Sequence, residues 1–340
     1  MKQAVMVSPG KIEIRETEAP KGAPGKVVIQ VGYIGVCGSD IHVYHGKHPY
    51  TKYPVVQGHE VSGEVVRTWE GSAFQNGDKV TIEPQISCGK CGPCGEGLYN
   101  ICNELKVMGF QSQGAASEYV EIEEKHLVKL PEEMDLSHGA MMEPLAVGVR
   151  AVRKFGEIRG KRAAVLGAGP IGNLTMQAAK ALGAKAVIIS DVNALRLEKA
   201  RKCGADETVE IGKGETPEET AERLGDCDVI FDCAGVQSSI DTAVCAAGKG
   251  KEIIAVAVYE GKPMVDLARV NECELKITGT ARYTKEDFET AIALTQQGII
   301  ELEELISDIF PLEAYEQAYE KIDGDPMSTM KVLIRIRDLM

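Results

Sequence analysis

Ala163-Ala164-Val165-Leu166-Gly167-Ala168-Gly169-Pro170-Ile171-Gly172 is the stretch that decides the fold of the second half of this 340-residue chain. It reads as an apolar strand, a turn with three glycines and the start of a helix that continues to Leu182. A second apolar strand, 186–190, ends at Asp191. Strand, glycine-rich turn, helix and then an acidic residue after the next strand are the fingerprint of a dinucleotide-binding unit.

The glycines let the backbone approach a pyrophosphate, and the amino terminus of the helix favours its negative charge. The predicted cofactor contacts are Gly167, Gly169, Pro170, Ile171, Gly172, Asp191 and Arg196. The carboxylate of Asp191 can accept hydrogen bonds from the adenosine ribose but would repel a 2′-phosphate, so the sequence favours NAD over NADP. Arg196, one turn further on, either reaches a phosphate or lies on a solvated helix face.

Apolar strands alternate with helix-like runs up to Val258, which indicates a parallel sheet covered on both faces. Residues 1–36 differ, because apolar and polar positions alternate there between Gly and Pro turns. This pattern is typical of short antiparallel strands. The chain therefore combines a mostly β region with an α/β region.

Two segments that follow the first strands carry metal-ligand types: Cys37-Gly-Ser39-Asp40-Ile-His42 and Gly58-His59-Glu60. A thiolate, an imidazole and a carboxylate are the ligands of a catalytic zinc, which keeps one position open for water or substrate. The combination of Cys37, His59 and Glu60 therefore predicts Lewis-acid chemistry in the β region.

Four more cysteines lie in a loop rich in Gly and Pro, with the spacing Cys88-x-x-Cys91-x-x-Cys94-x7-Cys102. Four thiolates can close a tetrahedron around zinc and leave no position for water, so this loop predicts a structural site. An iron–sulfur cluster uses the same ligand type and is the alternative. The remaining five of the ten cysteines are scattered among apolar residues, and we interpret them as small buried hydrophobes.

Composition narrows the class of protein. With 44% hydrophobic and 26% charged residues, the chain can bury a sizeable core in two domains. The net charge of −13 is spread along the sequence without a basic cluster, which argues against nucleic acid and anionic membrane partners. No apolar run approaches a membrane span and no signal-peptide pattern opens the sequence, so we expect a cytoplasmic protein with reduced or metal-bound thiols.

Taken together, these motifs resemble the zinc-dependent medium-chain dehydrogenase/reductase family over essentially the whole chain. The shared segments also include Glu143-Pro144-Leu145-Ala146-Val147. The polyol branch, with sorbitol and xylitol dehydrogenases, is the most similar, because Arg282-Tyr283 matches its Arg-Tyr pair and Glu143-Pro-Leu matches its carboxylate segment. Bacterial sugar-acid and sugar-phosphate dehydrogenases are similar almost as far.

The resemblance implies an α/β protein with a β-rich GroES-like catalytic domain and a doubly wound Rossmann domain that binds NAD. Its expected bounds are 1–146 for the catalytic domain, with the structural zinc lobe at about 86–104, 147–283 for the Rossmann domain and 284–340 for a return to the catalytic domain. It also implies two zinc ions per chain and a homodimer or homotetramer. The strand Ile253–Val258, if it lies at the sheet edge, would pair with its symmetry mate.

The resemblance further implies oxidation of a secondary alcohol of a polyol or sugar acid. Cys37 and His59 would bind the catalytic zinc, and the carboxylate would come from Glu60 or from Glu143. The polyol branch favours Glu60 as the ligand, which leaves Glu143 near the substrate or the zinc water.

Ser39 and His42 match the family's proton relay, in which a hydroxyl passes the proton to an imidazole and on to water. The alternative is a turn serine and a surface histidine. Arg282 and Tyr283 would hold substrate hydroxyls or the zinc-bound water, and the alternative there is an ordinary salt bridge and a packed ring.

Two departures from the sorbitol enzymes keep the substrate open. Val43 stands where they carry Tyr directly after the relay histidine, and Gly114-Ala-Ala-Ser117 replaces their Gly-Gly-Phe. Sugar phosphates, threonine and simple diols are therefore alternative substrates. A non-catalytic redox sensor that binds zinc and NAD is a rival from another class, although every predicted ligand and relay residue is present.

Overall fold

The computed structural model describes residues 1–259 and 261–337. The chain divides into two compact units, one formed by Met1–Glu143 with Ile306–Met340 and the other by Pro144–Leu305. The sequence placed the return to the first unit at residue 284, whereas the structure has it at Ile306. The intervening helix stays in the second unit because the buried carboxylate of Asp287 lies 3.1 Å from the guanidinium of Arg153 and 3.5 Å from that of Arg150.

The first unit is mainly antiparallel sheet. Its elements are β1 Lys2–Ser8, β2 Lys11–Glu16, β3 Lys26–Val36, α1 Gly38–Tyr44, β4 Glu60–Arg67, β5 Lys79–Ile82, β6 Gln85–Ile86, α2 Gly92–Gly95, β7 Lys106–Val107, β8 Tyr119–Glu123, β9 Leu127–Lys129 and α3 Leu136–Ala140. Helix α4, Met142–Phe155, begins in this unit and continues into the second.

The second unit alternates strands and helices. Its elements are β10 Arg162–Leu166, α5 Pro170–Ala181, β11 Ala186–Asp191, α6 Ala194–Lys202, β12 Glu207–Glu210, α7 Pro217–Leu224, β13 Cys227–Asp232, α8 Gln237–Ala246, β14 Ala247–Ala255, α9 Leu267–Glu272, β15 Lys276–Gly279 and α10 Lys285–Gln296. The chain then returns to the first unit with β16 Ile306–Pro311, α11 Tyr315–Gly324 and β17 Lys331–Arg335.

The large sheet of the first unit has the order β16-β17-β3-β4-β5-β9, with β8 also paired to β3. Strand β3 is long enough to pair with β8 along its first half and with β17 along its last residues. Its buried Val and Ile side chains pack in one apolar cluster with those of β4, β5 and β17. Strand β17, which follows the whole second unit in the sequence, is thus an interior strand of this sheet.

The second unit has an all-parallel sheet in the order β12-β11-β10-β13-β14-β15. The strand order reverses between β10 and β13, and ligands of such sheets bind at the carboxyl ends of the strands at this switch. The expectation that Ile253–Val258 forms an edge is wrong, because β14 is hydrogen-bonded to β13 on one side and to β15 on the other. The short strand β15 occupies that edge.

Among the described residues, no helix combines the length and the apolar character that a membrane crossing requires.

Candidate active site

Three neighbouring strands of the first unit each have one terminus at the same place. Strand β3 runs into Cys37, β4 begins at Glu60, directly after His59, and β17 begins at Lys331. The register pairs Gly35 with Glu60 across β3 and β4, and Val36 with Val332 across β3 and β17. A Cβ atom on Gly35 would lie 1.9 Å from Oε2 of Glu60, so only glycine leaves room for this carboxylate.

Cys37, His59 and Glu60 form a set of sulfur, nitrogen and oxygen donors. One ligand atom from each lies within 4.8 Å of the other two. Nδ1 of His59 lies 3.4 Å from Oδ1 of Asp40, and this buried nitrogen has the distance of an ion pair without the geometry of a hydrogen bond. With Nδ1 turned to a carboxylate, Nε2 is the nitrogen for a metal, as in carboxylate–histidine–zinc arrangements. The donor set fits zinc.

The charges around His59 also favour a cation. Burial alone would lower the pKa of His59, but the carboxylate of Asp40 and the sulfur of Cys37 together raise that pKa well above its usual value. The same two side chains, Asp40 and Cys37, would also favour a bound divalent ion beside His59.

Lys331 is the unexpected member of the site. Its buried ammonium donates to both carboxylate oxygens of Glu60 at 2.7 Å and to the carbonyl oxygen of Val36 at 3.2 Å. Burial opposes the charge of Lys331, but Glu60 and then Cys37 and Glu143 outweigh it and raise its pKa above 10.5. The pair therefore stabilises the fold fully at neutral pH, and this contribution is lost only as the pH rises through the raised pKa.

Both candidate carboxylates belong to this region. Glu60 is almost fully buried beside Cys37 and His59, while Glu143 lies in the first turn of α4. Glu143 contributes to the raised pKa of Lys331, but less than Glu60 and Cys37 do.

The predicted relay residues lie on helix α1, directly after Cys37. The side chain of Asp40 accepts a hydrogen bond from the backbone N–H of Cys37 at 2.9 Å and so closes the first turn. Oγ of Ser39 lies 3.9 Å from Sγ of Cys37, and Ser39 and His42 are both half-buried. Because residues three apart share one helix face, the hydroxyl and the imidazole follow each other along α1.

The four-cysteine loop has the geometry of a metal site. One sulfur from each of Cys88, Cys91, Cys94 and Cys102 lies within 4.8 Å of the others, and all four thiols are free of disulfides. The distances from Sγ of Cys91 to those of Cys94 and Cys102 are 3.4 and 3.8 Å. A tetrahedron with zinc–sulfur bonds of about 2.3 Å has edges of about 3.8 Å.

The thiols of this loop have opposite pKa shifts. Backbone N–H groups, first that of Asn103, lower the pKa of Cys91 to about 6, whereas burial and the neighbouring sulfurs of Cys91 and Cys102 raise the pKa of Cys94 to about 12. A cation would relieve the repulsion between the thiolates, so the loop fits the predicted structural zinc.

In the second unit, the glycine turn lies between β10 and α5 at the switch in strand order. A Cβ atom on Gly172 would lie 1.8 Å from the carbonyl oxygen of Gly167, so this glycine allows helix and strand to approach. Gly169 caps α5, Pro170 is its first residue and Ile171 follows in the first turn. This turn presents a helix amino terminus where a pyrophosphate would bind.

Asp191 has a structural task that the sequence did not show. Its Oδ2 accepts a hydrogen bond from the N–H of Ala168 at 2.6 Å, and its Oδ1 accepts one from the N–H of Asn193 at 2.9 Å. The carboxylate therefore fixes the glycine turn and keeps lone pairs for a ribose. The guanidinium of Arg196 faces the same turn, since Nη1 lies 3.9 Å from a Cβ atom placed on Gly169. This position favours the phosphate alternative for Arg196.

Comparison with known proteins identifies the two units. The model of the alcohol dehydrogenase GroES-like domain matches residues 23–132, and the model of the zinc-binding dehydrogenase domain matches residues 170–297. A 2-dehydro-3-deoxy-L-galactonate 5-dehydrogenase from Pseudoalteromonas atlantica is 36% identical over 314 residues, which cover 91% of each protein. The chain belongs to the zinc-dependent medium-chain dehydrogenase family. The predicted fold class and the prediction of an enzyme are thereby confirmed.

Further relatives place this dehydrogenase in the polyol branch, as predicted. The sorbitol dehydrogenase of Halalkalibacterium halodurans is 33% identical over 343 residues, which cover 98% of this chain and 99% of the relative. The crystal structure of a short chain alcohol dehydrogenase from Escherichia coli CFT073, complexed with cofactor NADH, has a TM-score of 0.91 and 31% identity, and the match covers 99% of each chain.

Arg282 and Tyr283 of this dehydrogenase both lie in the second unit. Arg282 is exposed and has a positive φ of 54°, while Tyr283 is fully buried with its ring edge-on to Phe288 at 5.4 Å. The burial of Tyr283 agrees with the packed-ring alternative. A substrate contact for either residue remains a prediction.

The sequence pointed to the donor atoms of the dehydrogenase but not to their supports. Lys331, Gln57 and Tyr319 are buried polar residues that surround the predicted ligands. One signal was present in the sequence. Gln57 follows the apolar pair Val55–Val56, and Lys331 precedes the apolar run Val332–Ile334. A polar side chain in such a place needs a hydrogen-bond partner.

Proposed function

We propose that this dehydrogenase oxidises a secondary alcohol of a polyol or sugar acid with NAD, at a zinc site formed by Cys37, His59 and a carboxylate. The observation that carries the proposal is the compact set of sulfur, nitrogen and oxygen donors, with the Ser39 hydroxyl 3.9 Å from the thiol. The four-cysteine loop would hold a second, structural zinc.

Zinc, when bound, supplies Lewis acidity that favours loss of the alcohol proton, and NAD accepts the hydride. The side chains of Cys37 and His59 hold the metal, and Asp40 orients the imidazole. The proton passes to the hydroxyl of Ser39 and then to the imidazole of His42, which delivers it to water. Ser39 and His42 are both half-buried, so each of them retains some contact with solvent.

We assign the third ligand to Glu60 rather than to Glu143. Support comes from the position of the Glu60 carboxylate within 4.8 Å of the thiol and imidazole donors. The ammonium of Lys331 competes for this carboxylate, since it contacts both oxygens. Glu143 then remains close to the substrate or to the water of the site. In the cobalt-substituted enzyme, replacement of Glu60 by Gln should shift the visible spectrum more than replacement of Glu143 by Gln.

The substrate class rests on the relatives and on one feature of the site. A sugar-acid dehydrogenase and a sorbitol dehydrogenase match over almost the whole chain. Val43, which replaces the tyrosine of the sorbitol enzymes, is fully buried, and Tyr44 packs against Tyr319. The phenol that a sorbitol enzyme carries at this position is therefore absent here, which favours a different polyol or a sugar acid over sorbitol.

The test is turnover followed by nicotinamide absorbance, with NAD and NADP in turn, across polyols, sugar acids, their phosphates, threonine and butanediol. We expect a polyol or sugar acid to be oxidised with NAD, with activity lost on chelation and restored by zinc. Turnover of only a phosphate, threonine or butanediol would reject the substrate class. If no compound in the panel is turned over, although zinc and NAD are both bound, the result would favour the redox sensor.

The preference for NAD gives a prediction for Asp191. In Asp191→Ala, two backbone N–H groups lose their acceptor, at a cost of about 1–3 kcal/mol each, and the negative charge at the ribose is lost. We expect NADH to bind about tenfold more weakly and the ratio of NADH to NADPH affinity to fall, as measured by cofactor fluorescence. Glu210→Ala is the control, because this exposed carboxylate ends the neighbouring strand β12. An equal change in that variant would contradict the assignment.

We also propose a homodimer or homotetramer that uses the edge strand β15. This strand has exposed residues on both faces, including Ile277 at 41% exposure, and an unpaired edge favours a second strand. We expect Ile277→Lys to lower the mass measured by light scattering toward one chain. A wild-type mass of one chain, or an unchanged mass of the variant oligomer, would overturn this proposal.

A further inference from the structure

We infer that Gln57 and Tyr319 are positioning residues that hold the imidazole of His59 toward the metal, acting through Asp40. The inference rests on the proposed metal site. The hydroxyl of Tyr319 donates to Oε1 of Gln57 at 2.9 Å, and Nε2 of Gln57 donates to Oδ1 of Asp40 at 3.0 Å. The same Oδ1 lies 3.4 Å from Nδ1 of His59. All four residues are at most 5% exposed, so water does not replace these contacts.

The side-chain amide of Gln57 fixes the direction of these hydrogen bonds. The side chain of Gln57 has one donor end and one acceptor end, whereas ionised Asp40 only accepts. The NH₂ end must therefore face Asp40, because a flipped amide would turn its oxygen against the carboxylate. Oε1 is then left for Tyr319, whose hydroxyl must donate. Burial first, and then Tyr315 and the carboxylate of Asp40, raise the pKa of Tyr319 well above its usual value, so the donor proton is retained.

The hydrogen bonds to Asp40 hold its carboxylate in place beside His59. Oδ2 of Asp40 is held by the backbone N–H of Cys37 at 2.9 Å, and Oδ1 is held by Gln57. Asp40 therefore keeps an acceptor in front of Nδ1 of His59. This arrangement favours the tautomer with the proton on Nδ1 and the lone pair of Nε2 directed to the metal.

Packing alone does not account for a tyrosine at position 319. Its ring lies 5.1 Å from that of Tyr44 and 5.7 Å from that of Tyr315, and a phenylalanine ring would make the same contacts. A hydroxyl in such a core costs free energy unless it is hydrogen-bonded. Removal of the hydroxyl alone therefore tests the positioning role of Tyr319 without changing the packing of its ring.

The experiment compares Tyr319→Phe, Gln57→Leu and the double variant in the full-length, zinc-loaded protein. The readouts are the rate at which a chelator removes the catalytic zinc and the visible spectrum after cobalt substitution, and neither requires a substrate. Loss of groups that orient a metal ligand weakens metal binding by about 10- to 100-fold. We expect release about tenfold faster in Tyr319→Phe, faster still in Gln57→Leu, and a shifted cobalt spectrum, while the zinc of the four-cysteine loop keeps its rate.

Tyr44→Phe is the matched control, because it removes a neighbouring hydroxyl that reaches Glu316 at 3.5 Å and not Gln57. Because Tyr319 acts through Gln57, the double variant should match Gln57→Leu within about twofold. The inference is overturned if Tyr319→Phe releases zinc at the wild-type rate, if Tyr44→Phe has the same effect, or if the two changes add. Should Gln57→Leu not fold, the comparison of Tyr319→Phe with Tyr44→Phe decides.

Failure of the metal site itself would look different. In that case Cys37→Ser would leave the zinc content of the protein unchanged.

Discussion

Replacement of Cys37 by serine is expected to lower the zinc content by one ion per chain and kcat by about 10³-fold or more. A serine hydroxyl keeps its proton at neutral pH, so only the His59 and Glu60 donors would remain for the metal. The Lewis acidity of a catalytic metal contributes several kcal/mol to the rate, and each 1.36 kcal/mol is a factor of ten. Zinc is measured by mass spectrometry of the digested protein, and kcat by nicotinamide absorbance on the preferred substrate.

Two further cysteine variants make this result specific. Cys273→Ser changes a half-buried thiol outside both proposed metal sites and should retain both zinc ions and full activity. Cys94→Ser should lose the other zinc and lower the midpoint of thermal unfolding, while kcat of the folded fraction stays much closer to wild type. Full activity of Cys37→Ser, or an equal loss of activity in Cys273→Ser, would contradict the assignment of the catalytic metal.

Lys331→Met is expected to lower the free energy of unfolding of the protein without its catalytic zinc by about 3–5 kcal/mol, because it leaves Glu60 buried with an unpaired charge. Lys331 and Glu60 are 3% and 1% exposed, and the ammonium bonds both carboxylate oxygens, so water cannot replace it without opening the site. Unfolding in urea, monitored by circular dichroism after the catalytic zinc has been removed from both proteins, measures the loss.

The control for this change is Lys321→Met on helix α11. Lys321 forms an ion pair with Asp325 at 2.8 Å, but both side chains are about a third or more exposed, so its loss should cost about 1 kcal/mol or less. A second variant, Glu60→Leu with Lys331→Met, should recover most of the stability, since an apolar pair can replace a buried ion pair. Equal losses in Lys331→Met and Lys321→Met would show that the buried pair has no special role.

The sequence predicted the parts of the fold that depend on local pattern. The strand before Gly167 and the helix after it lie in one short segment with a recognisable pattern. The predicted ligands Cys37 and His59 also lie in short segments, whose residue types and spacing indicate a metal site. The four-cysteine loop could be predicted for the same reason, because its ligands lie within 15 residues of one another.

What the sequence did not show depends on contacts between distant segments. Lys331 reaches Glu60 only because β17 inserts beside β3, and that register is not encoded near either residue. The same holds for Tyr319 and Gln57. The edge of the parallel sheet was misassigned because β15 has only four residues, of which Ile277 alone is large and apolar, so its pattern gave less signal than the apolar run in β14. The ion pairs of Asp287 with Arg150 and Arg153 likewise join segments that are far apart in the sequence. They explain why the second unit extends beyond the predicted boundary at residue 284.

The place of β17 also sets an order of events on the ribosome. Residues 144–305 are continuous, so the second unit can fold as soon as they have emerged. Glu60, by contrast, is synthesised long before Lys331, and burying its charge without that partner is costly. The nascent first unit must therefore keep the end of β4 hydrated until β17 docks, and the surroundings of its proposed metal site are completed only after residue 331 has been translated.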